Sequence, residues 1–195
     1  GAKNLIFVGN DQTILRLMSC LPDIDATFGY IPLVSPSVLA SVFGIPCGAK
    51  AVEVVAGRLI ETLDVGKMDD RYFLTEVALP NTTAAVEVGG KYRVSPATKG
   101  SIGIRNLGSI CVKGKSLADP KDGKLEIVIQ SEMKSGGFWS RPELIESRFL
   151  LTEGCIVSKD AVHGFIDCQA MSATKMKFSI FPKKLRFITG RQKTL

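Results

Sequence analysis

The sequence predicts a partial doubly wound α/β domain followed by an antiparallel β-sandwich. Residues 1–58 combine short apolar runs with apolar residues at helical spacing, which is typical of alternating strands and helices. From Leu59 onward apolar and polar residues alternate in short runs between turn sequences, and no regular helix separates these runs. The change of pattern predicts two domains, comprising residues 1–58 and 59–195.

The first predicted strand and helix precede Pro22. Residues 5–8 are consecutive apolar residues without alternation, which predicts a strand buried on both faces of a parallel sheet. The apolar residues from Ile14 to Leu21 then fall on one helical face. Pro22 is predicted to end this helix, because a proline ring cannot continue the hydrogen-bond ladder.

Residues 29–33 predict a second strand, and two helices are predicted to follow it. Ser35 is predicted to cap the first of them, with Pro36 at its first position and Gly44 at its end. A further helix is predicted over residues 49–56. A complete doubly wound domain needs more strands than these two, so the N-terminal part of this domain is predicted to be missing from the chain.

The second part of the chain is predicted to consist almost entirely of strands. Gly89-Gly90 and Asp122-Gly123 are its clearest turn signals, and one short helix is predicted over residues 142–148. A return of the last strand to the first domain is left open. The predicted strands cover residues 59–65, 72–79, 84–88, 91–94, 101–105, 109–112, 125–129, 148–152, 156–157, 164–167, 176–181 and 185–189.

Composition restricts the class of partner and the compartment. A formal net charge of +6 favours an anionic ligand, such as a nucleotide or an acidic membrane surface. No basic arm and no aromatic residues on a basic sheet are present, so nucleic acid is not expected as a partner. The cysteines are widely spaced and His163 is the single histidine, which disfavours a zinc site and predicts free, mostly buried thiols in a reducing cytoplasm. No apolar run is long enough to predict a membrane-spanning helix.

Two turns at predicted strand ends carry the candidate ligand contacts. Gly9, Asn10, Asp11, Gln12 and Thr13 lie between a strand and a helix start, where backbone N–H groups can bind phosphate. Ser35 lies in the corresponding turn after the second strand. A capped turn without a ligand explains the same residues, so both interpretations stand at this point.

Several short motifs follow one another along the chain. They are G-x-D-x-T, I-P-L, L-A-x-x-x-G-I-P, R-x-I-x-x-L-D-V-G, a D-P-x-D-G-x-L stretch and a closing P-x-x-L-R-F segment. They occupy residues 9–13, 31–33, 39–46, 58–66, 119–125 and 182–187. Their order resembles the diacylglycerol kinase catalytic family, which includes bacterial lipid kinases and sphingosine kinase and is distantly related to NAD kinase.

The resemblance implies roles for several residues. It implies ATP binding at the Gly9–Thr13 turn, a Mg²⁺ near Asp119 and Asp122, and Asp167 as the general base for a lipid hydroxyl, facing the cleft between the two domains. The chain also departs from the family pattern. Asn10 and Gln12 replace glycines of the nucleotide loop. Val34, Ser37 and Val38 replace the Gly, Asn and Asp of the second motif, and Cys168 and Gln169 replace the Gly and Glu that follow the family's Asp.

Two functions are therefore expected as alternatives. The first is an ATP- and Mg²⁺-dependent lipid kinase; the second is a catalytically degenerate module that keeps the fold and binds a lipid or a nucleotide, or regulates a partner. Phe138 and Trp139 are candidates for contact with a membrane interface, so the expected location is cytoplasmic, with peripheral contact at the inner membrane surface. A homodimer is left open.

Overall fold

The α/β part begins with two parallel strands joined by a helix. The structure, a computed structural model, describes residues 3–18, 21–107, 117–133 and 143–195. Strand β1 (Asn4–Gly9) leads into helix α1 (Asp11–Leu17), and a single 3₁₀ turn (Leu21–Asp23) precedes strand β2 (Thr27–Pro32). Strands β1 and β2 pair in parallel, so the ends at Gly9 and Pro32 are neighbours. Their carboxyl ends therefore bring the two candidate turns together.

Two short helices complete this part. Helix α2 (Val38–Val42) is capped by Ser37, whose hydroxyl accepts a hydrogen bond from the Ala40 N–H at 3.0 Å. Helix α3 (Lys50–Gly57) ends at Arg58, which has a left-handed backbone (φ 51°). None of the helices in the described ranges is long and apolar enough to cross a membrane.

The rest of the described chain is strand, and the whole forms one mixed sheet network with few helices. Alternating apolar residues and glycine- or aspartate-containing turns produce this run of antiparallel hairpins. The strands are β3 (Ile60–Met68), β4 (Arg71–Phe73), β5 (Glu76–Thr82), β6 (Ala85–Val88), β7 (Tyr92–Val94), β8 (Gly100–Arg105), β9 (Leu125–Met133), β10 (Glu143–Leu151), β11 (Glu153–Ile166) and β12 (Gln169–Ile188).

Strand β12 connects the α/β part to the antiparallel strands. Its first half pairs with β11, and its second half pairs in parallel with β2 and antiparallel with β3. The division into domains at residue 58 stays a prediction.

Two clusters of buried apolar side chains lie along this network. The first contains the α/β residues with Leu63, Leu74 and Phe187, and Phe43 stacks on Phe187 with ring centroids 4.4 Å apart. The second lies between the antiparallel strands and includes Phe73 and Phe178.

Strand β1 is not buried on both faces, so that prediction is wrong. Its burial alternates, and Ile6 and Val8 are 40% and 54% exposed. The physical reason is its position at the edge of the sheet, because β2 is its single partner among the described strands.

Three other predictions are corrected. Ser37 rather than Ser35 caps helix α2, because Ser37 precedes the first helical residue and Ser35 is exposed. Residues 143–148, which were predicted to be helical, belong to strand β10, because nine residues of β10 pair with β9. Cys47 and Cys168 are exposed rather than buried.

Strand boundaries also differ from the sequence-based ones. The predicted strand 72–79 is divided into β4 and β5, and residues 156–157 and 164–167 belong largely to the single strand β11. The predicted strand 109–112, together with Phe138 and Trp139, lies outside the described residues.

Candidate functional site

The start of helix α1 is closed by the side chain of Asn10. Asn10 has an extended backbone, and its Oδ1 accepts hydrogen bonds from the Thr13 N–H at 3.0 Å and the Thr13 hydroxyl at 3.1 Å. A Cβ on Gly9 would lie 3.0 Å from Thr13 Oγ1, so glycine permits this close packing. The N–H group that a phosphate would contact at this turn is therefore already bonded within the chain.

The carboxylate of Asp11 closes the start of helix α2 in the same way. Its Oδ2 accepts hydrogen bonds from the N–H groups of Val38 at 2.8 Å and Leu39 at 3.3 Å. Its Oδ1 accepts hydrogen bonds from the hydroxyls of Ser37 at 2.5 Å and Tyr30 at 3.0 Å. Asp11 therefore joins the two turns.

Tyr30 takes part in this cluster as a proton donor. Burial is the main cause that raises the pKa of its hydroxyl to about 12, and the hydrogen bond to Asp11 raises it further, against a lowering contribution from Ser37. Tyr30 is therefore protonated at neutral pH and donates to the carboxylate.

The structure brings together four of the six residues predicted to bind nucleotide. Asn10 bonds to Thr13, and Gly9 and Asp11 are bridged by the Tyr30 hydroxyl, whereas the side chains of Gln12 and Ser35 are exposed. Tyr30 and Ser37, which the sequence did not indicate as site residues, both donate to Asp11. A signal for Ser37 was available, because serine three residues before the Ala40 N–H is a usual helix cap.

Asp167 is buried and does not face an open cleft. It is 2% exposed, and its Oδ2 accepts a hydrogen bond from the Leu74 N–H at 2.7 Å. Its Oδ1 accepts from the Thr75 N–H at 2.9 Å, the Thr75 hydroxyl at 2.5 Å and the Glu76 N–H at 3.2 Å. The carboxylate thereby holds the segment between β4 and β5, and its role as a general base stays a prediction.

Asp167 and Cys168 form the tight turn between β11 and β12. Ile166 pairs with Gln169, and both turn residues have positive φ, 45° and 66°. A turn of this kind prefers glycine at its second position, which is occupied here by cysteine. The Gln169 amide donates a hydrogen bond to the Leu15 carbonyl at 3.2 Å. Leu15 lies four residues after Asp11 in helix α1, which is about 6 Å along the helix axis. The turn therefore packs close to the α1 group.

We expect Asp167 to titrate well above an ordinary aspartate. Burial raises its pKa from 3.8 to about 6, although the hydrogen bonds from Thr75, Leu74 and Glu76 oppose the shift. The carboxyl carbon should therefore titrate near pH 6 in an NMR experiment. Because the folded state keeps a proton that the unfolded state releases, the contribution of Asp167 to the free energy of unfolding falls by about 3 kcal/mol as pH rises from about 4 to about 6. A midpoint near pH 4 would contradict this prediction.

A cavity of about 450 Å³ lies beside the Asp167 turn, over the face of strands β5, β8 and β9. Its walls are mainly apolar and include Ala78, Pro80, Val128 and Phe165. The cavity is also lined by residues that lie next to Asp167 in space or in sequence, namely Thr75, Glu76 and Cys168. Size and lining are those of a site for an apolar ligand with one polar end.

The polar end of the cavity is an ion-pair network. Arg105 is 7% exposed; its Nε lies 3.5 Å from Glu76 Oε2, and its guanidinium lies 3.6 Å from Glu126 Oε2. Arg148 pairs with the other oxygen of Glu126 at 3.2 Å. Glu76 and Arg105 are the charged residues of the described lining, and they pair with each other. The network therefore leaves no unpaired cation for a phosphate headgroup.

Asp119 and Asp122 do not fit a metal site in this arrangement. Each accepts a hydrogen bond from the backbone N–H two residues further on, that of Lys121 at 2.9 Å and that of Lys124 at 2.8 Å, which is the geometry of an ordinary turn. Within the described part of the chain, no three His, Cys, Asp or Glu side chains are grouped to hold a metal ion. The Mg²⁺ expected there stays a prediction.

The arrangement of strands and helices defines the structural class of this chain: it has the fold of diacylglycerol kinases. A solved structure of a diacylglycerol kinase from Bacillus anthracis str. Sterne aligns with a TM-score of 0.76 and 13% sequence identity, covering 97% of this chain and 77% of that one. A "putative diacylglycerol kinase" from the same organism aligns with a TM-score of 0.77 and 12% identity, covering 97% and 78%. The resemblance found in the sequence motifs is thus confirmed at the level of the fold.

A scan against family models and a search of curated proteins give no match.

Proposed function

We propose that this chain is a lipid-binding protein with the diacylglycerol kinase fold, in which the nucleotide-binding turn is closed by its own side chains. One observation carries the proposal: Asn10, which stands where the kinase family's nucleotide loop has a glycine, accepts hydrogen bonds from the Thr13 N–H at 3.0 Å and the Thr13 hydroxyl at 3.1 Å. In phosphoryl transfer the protein mainly positions the phosphates and neutralises their charge. The Asn10 side chain does the opposite, because it fills the turn and uses donors that a phosphate would need.

The lipid half of the proposal rests on the cavity beside Asp167. Its walls suit an acyl chain, and its charged residues are paired with each other, so a neutral headgroup is accommodated more readily than a phosphate. Peripheral contact with a membrane, from which such a lipid would enter, belongs to the same proposal.

Lipid phosphorylation is the second candidate function. It is favoured by Asp167, whose pKa of about 6 is suitable for a general base and whose neighbours line the cavity. Against it, the protein itself supplies four hydrogen bonds to Asp167, and Asn10 takes up the Thr13 N–H in the turn expected to bind ATP. Nucleotide binding separates the two candidates.

We expect calorimetric titration with ATP and Mg²⁺ to give no measurable binding to the unaltered chain. The double substitution Asn10→Gly and Gln12→Gly should improve nucleotide binding, because it removes two side chains from the turn. It also leaves the Thr13 N–H with one of its two acceptors, the Asn10 backbone carbonyl. Asn81→Gly, at an irregular position of strand β5 with a left-handed backbone (φ 51°), is a matched control and should leave nucleotide binding unchanged. Micromolar, Mg²⁺-dependent binding to the unaltered chain would support the kinase instead.

We expect the substitution Gly103→Leu to abolish binding of a fluorescent monoacylglycerol. A Cβ at Gly103 would meet Arg105 Nε at 3.5 Å and Val128 Cβ at 3.9 Å, which is ordinary contact, so the larger side chain should fill the cavity without displacing the strand. Gly57→Leu is the matched control, because a Cβ there meets nothing within 4 Å. Equal affinity of both variants would place the lipid elsewhere.

A further inference from the structure

The thiol of Cys168 lies at the rim of the apolar cavity. Cys168 is exposed, and it lines the cavity together with Phe165 and the residues of strands β5, β8 and β9. The tight turn between β11 and β12 holds it there. A nucleophile is thus held beside a space that suits an acyl chain.

A second observation points to an oxygen atom of a ligand in the same cavity. Arg105 is more than nine-tenths buried, and its Nε finds no hydrogen-bond acceptor among the described residues, since the nearest carboxylate oxygen is 3.5 Å away. Because Gly103 has no side chain, this Nε borders the cavity. A carbonyl oxygen of a ligand would give the buried donor a partner.

An acyl thioester has the three features that these groups require: an apolar chain, a carbonyl oxygen and an electrophilic carbon. We propose that Cys168 is an S-acylation site that takes a long-chain acyl group from an acyl thioester bound with its chain in the cavity. This inference rests on the lipid-binding cavity of the proposed function.

The reaction is a transfer between two thiols, without oxidation or reduction. The Cys168 thiol gives its proton to water, and its sulfur forms a bond to the acyl carbon. The bond between that carbon and the carrier sulfur then breaks, and the carrier thiolate takes up a proton from water. The Arg105 Nε–H is the donor in the cavity wall that stabilises the negative charge developing on the carbonyl oxygen.

The other described cysteines lack this setting and serve as internal controls. Cys47 is exposed and lies in the segment between helices α2 and α3. Its thiol donates a hydrogen bond to the carbonyl of Pro32, the last residue of strand β2, at 3.2 Å. Cys155 lines a groove that also contains Asp69, Glu87 and Lys175 and is therefore polar. Faster acylation of Cys168 than of Cys47 would therefore show that binding in the cavity, and not exposure alone, determines which thiol reacts.

The test is incubation of the full chain with palmitoyl-CoA at neutral pH, followed by intact-mass measurement and peptide mapping. We expect one acyl group on Cys168, added at least about tenfold faster than on Cys47 because binding holds the thioester beside the thiol. Acetyl-CoA, which has no chain to bind, should show no such preference. Cys168→Gly should abolish the adduct, and glycine suits the positive φ of this turn, so the fold should be kept. Gly103→Leu should reduce acylation of Cys168 to the rate of Cys47.

Equal rates at Cys168 and Cys47, or acylation of Cys168 that Gly103→Leu leaves unchanged, would overturn the inference. Binding of the fluorescent monoacylglycerol to the Cys168→Gly variant separates the two proposals. If that lipid binds but palmitoyl-CoA leaves no adduct on the unaltered chain, the proposed function stands and the acylation site is refuted. If the lipid does not bind either, both are refuted.

Discussion

Replacing Asp167 by alanine should lower the free energy of unfolding by about 3 kcal/mol at pH 7. The substitution leaves four donors without their acceptor: three backbone N–H groups and the Thr75 hydroxyl. Each such buried donor costs about 1–3 kcal/mol. Burial of the carboxylate charge is unfavourable, as the raised pKa of Asp167 shows, and removing this charge offsets part of that sum. Urea unfolding followed by circular dichroism measures the net effect.

Two variants make the result interpretable. Asp160→Ala changes an exposed aspartate on the same strand β11 and should leave the midpoint of unfolding nearly unchanged. Asp167→Asn retains one acceptor oxygen and removes the charge, so it should cost less than alanine, about 1 kcal/mol. If Asp167→Ala unfolds at the same urea concentration as the unaltered chain, the carboxylate does not hold the β4–β5 segment.

Replacing Glu126 by leucine should also cost about 3 kcal/mol or more. Glu126 is 0% exposed, pairs with Arg105 and Arg148, and accepts a hydrogen bond from the Leu117 N–H at 3.0 Å. Its removal leaves the buried Arg105 guanidinium with Glu76 as its remaining ion-pair partner. Breaking a buried pair on one side is costly, because one charge stays buried without compensation.

A double-mutant cycle tests the electrostatic origin of this loss. Arg105→Met combined with Glu126→Leu should cost less than the sum of the two single substitutions, because each single change leaves a buried charge of this pair without its partner. Glu87→Ala breaks an exposed pair with Arg93 at 3.7 Å and should cost less than about 1 kcal/mol. Strict additivity of the two single changes would show that Arg105 and Glu126 are not coupled.

Both stability predictions bear on the proposed function. Arg105 and the neighbours of Asp167 line the cavity. Arg105 and Asp167 are themselves held by protein partners, so a ligand meets a preformed wall. Because the walls are already formed, binding orders fewer side chains and loses less conformational entropy. The same contacts restrict Asp167 as a general base, so the presence of this aspartate does not by itself indicate a kinase. Nucleotide binding is therefore the measurement that decides between the two candidate functions.

Local sequence patterns are sufficient to predict the succession of most elements and the class of fold. Apolar residues without alternation predicted β1, alternation predicted most of the later strands, and the motif order indicated the diacylglycerol kinase fold. These features depend on local patterns, because a strand or turn is favoured by residues close together in the chain. The helix predicted over residues 142–148 shows the limit, since pairing with β9 makes that segment a strand.

The tertiary structure alone decided what the candidate residues do. Asp11 meets Ser37 and the start of α2 some 26 residues later, and Asp167 meets Thr75 across 92 residues. The sequence identified both aspartates but could not predict that protein donors would occupy their oxygens. The same holds for the cavity, because Arg105, Val128 and Cys168 become neighbours through the pairing of β5 with β8 and β11, and of β8 with β9. Hydrogen bonding and burial depend on groups that are distant in the chain. A local sequence pattern can therefore identify a candidate residue, but the packing of the sheet determines its role.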